Sequence, residues 1–188
     1  MTGQIPDEVR YHRRRYAIAA IDGAGLFDPA DHGLEPSPLS TGCWRGYCCR
    51  YVVKSGRLVL NRVEISVHDT QLYGRSRTPQ ARPWNRGAAV YDVPDVVMPF
   101  TGRLLIGAEV ADIAYLNMGF WPAWGFLDVV ELIIADGEVT ATHDRSVDLA
   151  AVRDRIAATG TRPEAGEASA DWIKRTFSLA YAYSWPDS

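Results

Sequence analysis

Lysine is nearly absent from this chain, since Lys54 and Lys174 are the only two among 20 basic residues. Arginine supplies the rest and is spread over the whole sequence, which indicates a composition bias more than a local basic surface. The formal net charge is −3. A chain of this charge gives no reason to expect a phosphate-binding surface, so no nucleic-acid partner is predicted.

Long hydrophobic runs are also missing. The most apolar stretch, Phe126 to Ala135, is interrupted by Asp128 and Glu131 and falls well short of a membrane span. The first residues lack the basic-then-apolar pattern of a signal peptide. We therefore expect a soluble, cytoplasmic protein without a membrane partner.

Cysteine is scarce, and two of the three cysteines, Cys48 and Cys49, are adjacent. Three cysteines do not form a disulfide framework, so free thiols in a reducing compartment are expected. Neighbours on a strand point to opposite faces and cannot chelate one metal together. Asp28, Asp31 and His32 could ligate a cation, but an Asp- and Pro-rich turn explains them equally well. We predict no metal.

Catalytic and cofactor motifs are absent as well. The sequence contains no P-loop, no nucleophile elbow around a serine and no H-E-x-x-H. Gly23-Ala-Gly25 lacks the third glycine and the following helix of a dinucleotide fingerprint. No cofactor is predicted, and the motifs leave open whether the protein is an enzyme.

What is present is a pattern of β-prone runs separated by turns. The chain is long enough for one domain, predicted over residues 1–188. Strands are predicted at 16–21, 103–106 and 114–118, and hairpins at 41–68 and 127–143, with Asp22-Gly23 as a tight turn. Helices are predicted from Ser146 to about 158 and from Ser169 to about 180. The fold class is α+β, mainly an antiparallel sheet that is barrel-like or strongly curved, with two C-terminal helices.

The first hairpin places a polar and aromatic group on one face. A two-residue turn at Ser55-Gly56 pairs Lys54 with Arg57, and alternation then sets Tyr47 opposite Glu64. This register collects Arg45, Tyr47, Glu64, Ser66 and His68 at one end of the face. A solvated sheet face explains the same pattern, and a bulge would change the register.

These residues are the candidate site. Arg45 could hold a carboxylate or phosphate in its planar fork, with Tyr47 and Ser66 as further ligand-binding groups. Glu64 and His68 are weak candidates for proton transfer.

Two other segments carry candidate binding residues. Trp121 and Trp124 lie in an aromatic connection that either lines a pocket mouth or caps the sheet. Arg82 and Trp84 lie in the long irregular segment 69–87, which is either a solvated loop or a partner-binding loop.

Several segments together resemble a group of small, uncharacterised bacterial proteins. The matching residues are Cys43-Trp-Arg-Gly-Tyr47, Tyr51 with Leu58-Val-Leu60, Phe100 to Gly107, and Tyr115-Leu-Asn-Met-Gly-Phe120. The shared features are a Trp-Arg-Gly-Tyr strand, a Thr-Gly-x-Leu strand and a Met-Gly turn, within residues 16 to 140. This resemblance implies no known activity and no catalytic residues.

Two functions remain open at this point. The first is a non-catalytic binding protein, immunity-like or otherwise partner-binding, with exposed aromatic and arginine anchors. The second is a small metal-independent enzyme with a β-barrel pocket that acts on an anionic small molecule. Neither the ligand, the partner nor the oligomeric state follows from the sequence.

Overall fold

The computed structural model describes residues 3–67, 71–75, 88–113, 119–159 and 178–185. Eight strands lie in these ranges: β1 Glu8–Tyr11, β2 Arg14–Ala24, β3 Tyr47–Lys54, β4 Arg57–Ile65, β5 Ala89–Val97, β6 Thr101–Val110, β7 Phe126–Ala135 and β8 Glu138–Asp144. One α-helix, α1 Ser146–Thr159, follows β8. Short 3₁₀ turns span Pro29–His32, Ala123–Gly125 and Tyr181–Ser184.

Seven of the strands close into a barrel, so the β-rich, barrel-like prediction is confirmed. The order around the barrel is β3-β1-β2-β6-β7-β8-β4, and a β3–β4 pairing closes it. β5 lies outside this ring and pairs with β4. Neighbouring strands are antiparallel, except that β1 and β3 run parallel. Closure removes most of the open sheet edges that would otherwise invite aggregation.

The barrel interior is filled by apolar side chains. Tyr51, Tyr91 and Phe100 are among the largest, and each is less than 2% exposed or at that limit. Leucine, isoleucine and valine from β4, β6 and β7 complete this core. The described interior is therefore a packed core of the kind seen in small barrels.

A second apolar cluster covers the outside of β2, β6 and β7. Helix α1 contributes Leu149 and Val152, which pack with Leu105, Val129 and Trp124. Arg153 secures the helix, because its Nη1 donates to the carbonyl oxygens of Trp124 and Phe126, at 2.9 Å each.

The C-terminal segment differs from the prediction of two helices. The first helix is confirmed by α1, but the described residues hold no second α-helix. The predicted second helix falls mostly outside the described residues. Its predicted end, 178–180, is not helical, and a 3₁₀ turn follows at Tyr181–Ser184. There the Ser184 hydroxyl accepts a hydrogen bond from the Ala123 N–H in the 3₁₀ turn before β7, and the Tyr181 hydroxyl donates to Glu131 of β7.

Other local predictions had mixed outcomes. Both hairpins form, with turns at Ser55-Gly56 and Asp136-Gly137. The turn predicted at Asp22-Gly23 is wrong, because Gly23 pairs with Gly102 inside the β2–β6 ladder. A Cβ on Gly102 would lie 2.1 Å from the carbonyl oxygen of Asp22, so glycine there permits close strand contact. The predicted strand at 114–118 lies outside the described residues.

Candidate binding groove

A groove of about 170 Å³ lies on the outer face of the sheet formed by β2, β1, β3, β4 and β5. Its lining is dominated by charge. The charged side chains are Glu8, Arg10, Arg15, Arg50, Arg62 and Asp92. We refer to this feature as the arginine groove.

One row of charges crosses four strands of the groove. Strand pairing places Glu8 beside Arg50, Arg50 beside Arg62, and Arg62 beside Asp92. The outer pairs are ion pairs, with Arg50 Nε 3.1 Å from Glu8 Oε2 and Arg62 Nη1 3.1 Å from Asp92 Oδ1. The two guanidinium groups at the centre would repel each other without a further anion.

Glu64 supplies that anion. Its side chain is on the same outer face, two residues beyond Arg62, and it is only 3% exposed. Its Oε1 lies 3.3 Å from Arg62 Nε and 3.5 Å from Arg50 Nη2. Glu64, the predicted proton-transfer residue, therefore lies between two arginine side chains. Its carboxylate stabilises the wall of the arginine groove.

A second, adjacent row contains two arginines without such compensation. Arg10 and Arg15 are direct cross-strand partners in the β1–β2 hairpin, and both are exposed. Within the described part of the chain, neither has a carboxylate within ion-pair distance. Four guanidinium groups thus face three carboxylates, and the uncompensated positive charge lies at the Arg10–Arg15 end.

A β-bulge produces this arrangement. The β3–β4 register runs as predicted from Lys54–Arg57 to Tyr51–Leu60, and then Arg50 pairs with Arg62. Asn61 is the extra residue, and the β4–β5 register also shifts there. Bulges redirect the side chains that follow them. Here the bulge turns Arg62 and Glu64 outward, onto the face that carries Arg50.

The same bulge separates residues that the sequence placed together. Tyr47 pairs with Ile65 and packs against the barrel core, whereas Glu64 is on the outer face opposite Cys48. The predicted Tyr47–Glu64 pairing is therefore wrong. Ser66 follows β4, and its Oγ accepts a hydrogen bond from the backbone N–H of Ser37 at 2.7 Å. His68 lies outside the described residues.

Arg45 is occupied by a partner within the chain. Its two terminal nitrogens donate to Asp7 Oδ2 and Oδ1 at 3.1 and 2.8 Å. Its guanidinium also stacks over the rings of Tyr47 and Phe120. Burial disfavours the charge, but the adjacent Asp7 carboxylate outweighs it and raises the Arg45 pKa. The bonds to Asp7 use two of the five guanidinium N–H groups, and the ligand-binding role of Arg45 remains a prediction.

Neither tryptophan of the aromatic connection lines the arginine groove. Trp124 is buried in the second apolar cluster under α1. Trp121 is half-buried against Gly125, where a Cβ would lie 2.7 Å from its ring. The ligand-binding role of these two residues remains a prediction. Arg82 and Trp84 lie outside the described residues.

The groove residues escaped sequence reasoning for two reasons. Strand β1 has four residues, and its turn to β2 is His12-Arg13, both with positive φ. Such turns normally carry Asn or Gly, so the hairpin had no recognisable signal. The bulge at Asn61 likewise has no sequence signature of its own. The available signal is the short basic run Arg13-Arg14-Arg15, and such a run usually marks a solvated face.

Comparison with known proteins adds no functional information. No family model, curated protein or solved structure matches the chain. Among the described residues, no cluster of three or more His, Cys, Asp or Glu side chains could hold a metal ion. The described helix is too short and too polar to span a membrane.

Proposed function

We propose that this protein is a non-catalytic binding protein whose arginine groove receives a carboxylate-bearing side chain of a protein partner. The observation that carries the proposal is the Arg10–Arg15 pair. Two like charges directly opposite each other on neighbouring strands destabilise a sheet. A carboxylate that bridges the two guanidinium groups would convert this repulsion into paired, charge-assisted hydrogen bonds.

The size of the groove favours an inserted side chain over a substrate. Small-molecule pockets usually enclose about 300 to 1,000 Å³, whereas this groove has about 170 Å³. It therefore has room for an acidic side chain or a small anion. A partner that inserts an aspartate or glutamate would make its remaining contacts on the surrounding sheet face.

That face offers one exposed apolar side chain in the row of the two arginines. Arg10 pairs with Val52, Val52 with Val59, and Val59 with Val97, so these residues continue the Arg10–Arg15 row. Val52 and Val59 are buried, whereas Val97 is 38% exposed. Protein interfaces are enriched in arginine beside apolar contact area. The combination supports a protein partner over a free ion.

The groove chemistry supports binding without catalysis. Among the described lining residues there is no Ser, Thr, Cys, His or Lys. Glu64 is held between Arg50 and Arg62. The alternative, a metal-independent enzyme with a pocket inside the barrel, has weaker support because large apolar side chains fill that interior. The three free thiols fit our proposal of a reducing, cytoplasmic location.

Peptide titration tests the proposal. Calorimetry at low salt would compare a hexaglutamate peptide with a hexaglutamine peptide. We expect binding of the first alone, weakened by added salt and reduced at least tenfold in the double variant Arg10→Glu/Arg15→Glu. The matched control is Arg13→Glu, an exposed arginine in the turn of the same hairpin, which should bind like the unmodified protein. Failure to bind hexaglutamate, or unchanged binding by the double variant, would overturn the proposal.

A further inference from the structure

Two buried thiols lie close together at one end of β3. Cys43 precedes the strand and Cys48 is its second residue, and their Sγ atoms are 3.5 Å apart. Cys43 is 2% exposed and Cys48 is 8% exposed. A disulfide requires an S–S distance of about 2.05 Å. A movement of about 1.5 Å would therefore bring these atoms to bonding distance.

The loop that carries Cys43 is fixed in this position. The Cys43 N–H donates to the Ser40 carbonyl, and the Cys43 carbonyl accepts from Leu39 and Gly46. Gly46 has a φ of 75°, and a Cβ there would lie 2.3 Å from the carbonyl oxygen of Ser37. The proximity of the two thiols is thus built into the backbone.

The two sulfurs have different acidities. The hydrogen bond from Cys48 and the nearby Arg45 guanidinium lower the pKa of Cys43 to about 7, although burial opposes this. The same sulfur–sulfur hydrogen bond, together with burial, raises the pKa of Cys48. The direction of these shifts favours Cys43 over Cys48 as the thiolate, which is the form that reacts with oxidants.

We propose that Cys43 and Cys48 form a reversible, oxidant-sensitive disulfide. The oxidant is a peroxide. The Cys43 thiolate attacks hydrogen peroxide, one oxygen is transferred to sulfur, and with one proton the other oxygen leaves as water. The resulting sulfenic acid reacts with the Cys48 thiol, forming the S–S bond and releasing a second water. A dithiol reductant restores both thiols. This inference is independent of the proposed function.

Cys49 provides an internal control. It packs in the barrel core, in a cluster that does not include Cys43 or Cys48, and burial raises the pKa of its thiol well above the ordinary value. As the neighbour of Cys48 on a strand, it points to the opposite face. Cys49 should therefore remain reduced while the other two cysteines are oxidised.

Mass spectrometry after mild oxidation tests the disulfide. The folded protein is treated with a small excess of hydrogen peroxide, which should lower its mass by about 2 Da. Alkylation in denaturant should then modify only one cysteine. Dithiothreitol should reverse both changes. Trypsin cleaves after Arg45, which separates Cys43 from Cys48 and Cys49. A linked peptide should appear in the Cys49→Ala variant and disappear in Cys48→Ala.

Three results would overturn the proposal. One is three alkylated cysteines after peroxide treatment. Another is stepwise oxidation of Cys43 to sulfinic acid without a linked peptide. The third is a linked peptide that persists in Cys48→Ala. The test measures disulfide formation in the folded protein. Each variant is therefore first checked by circular dichroism, and only variants with the native spectrum are compared.

Discussion

Arg10 and Arg15 lie directly opposite each other on neighbouring antiparallel strands, with no carboxylate among the described residues in ion-pair contact with either. This pairing is unfavourable in the free protein. Proteins retain locally unfavourable arrangements at functional sites, where a ligand compensates for them.

Replacing one member of this pair should therefore stabilise the protein. In Arg15→Glu the cross-strand repulsion becomes an attraction, and we expect the free energy of unfolding to rise by about 0.5 kcal/mol. Urea denaturation measures this change. Arg13→Glu makes the same charge change at the turn and should stay within about 0.3 kcal/mol of the unmodified protein. A less stable Arg15→Glu would mean that an anion already compensates the pair.

Glu64 should behave in the opposite way. In Glu64→Gln, Arg50 and Arg62 lose the carboxylate between them, and their side chains are only 22% and 19% exposed. We expect a loss of about 2 kcal/mol, less than for a fully buried pair because both arginines retain some solvent contact and their Glu8 and Asp92 partners.

A surface ion pair of the same sheet serves as the control. Lys54 and Asp95 are 61% and 50% exposed, so Asp95→Asn should change stability by less than about 0.5 kcal/mol. Equal losses in the two variants, measured by urea denaturation, would show that Glu64 contributes no more than a surface carboxylate.

Glu131 should make stability depend on pH. It is 1% exposed, and Arg145 donates to its Oε2 at 2.9 and 2.7 Å while the Tyr181 hydroxyl donates to Oε1. Burial alone would raise the pKa of Glu131, but these hydrogen bonds and charges outweigh it and lower the pKa. A lowered folded-state pKa gives stability that is fully present above the unfolded value, about 4.3 for glutamate. This stability is lost as the pH falls through the folded-state pKa.

The comparison of Glu131→Gln with the unmodified protein isolates this effect. The difference in unfolding free energy should be constant from pH 6 to 8 and shrink below about pH 4.3. Glu138→Gln, which removes a carboxylate from an exposed position in the same hairpin, is the matched control. A Glu131→Gln difference that persists or grows in acid would contradict the prediction.

Sequence reasoning succeeded where a local signal determines structure. The turns at Ser55-Gly56 and Asp136-Gly137 and the register up to Tyr51–Leu60 follow from turn chemistry and alternation. The helix begins at Ser146 as predicted, but the Ser146 hydroxyl does not cap it, because its Oγ accepts a hydrogen bond from the Val129 N–H. Strand β5 was missed because Asp92, Pro94 and Asp95 interrupt its apolar residues. As an outer strand it tolerates this composition.

The candidate site depended on a feature with no such signal. One extra residue at Asn61 reversed which side chains of β4 face outward, because alternation has a period of two. Arg62 and Glu64 thereby moved away from Tyr47 and joined Arg50. Every residue of the predicted site had been placed by extending a correct register through the bulge.

Deleting Asn61 tests whether the arginine groove needs the extra residue itself. In the deletion variant Arg62 follows Leu60 directly, so an uninterrupted ladder keeps Arg62 opposite Arg50 and Glu64 opposite Cys48. Because side chains alternate between the two faces of a strand, Arg62 and Glu64 stay on the outer face. We therefore expect the deletion variant to keep the native circular dichroism spectrum and to bind hexaglutamate like the unmodified protein. Asn61→Ala, which keeps the residue count and the bulge, is the matched control and should behave in the same way. Loss of hexaglutamate binding in a folded deletion variant, with binding retained in Asn61→Ala, would contradict this prediction.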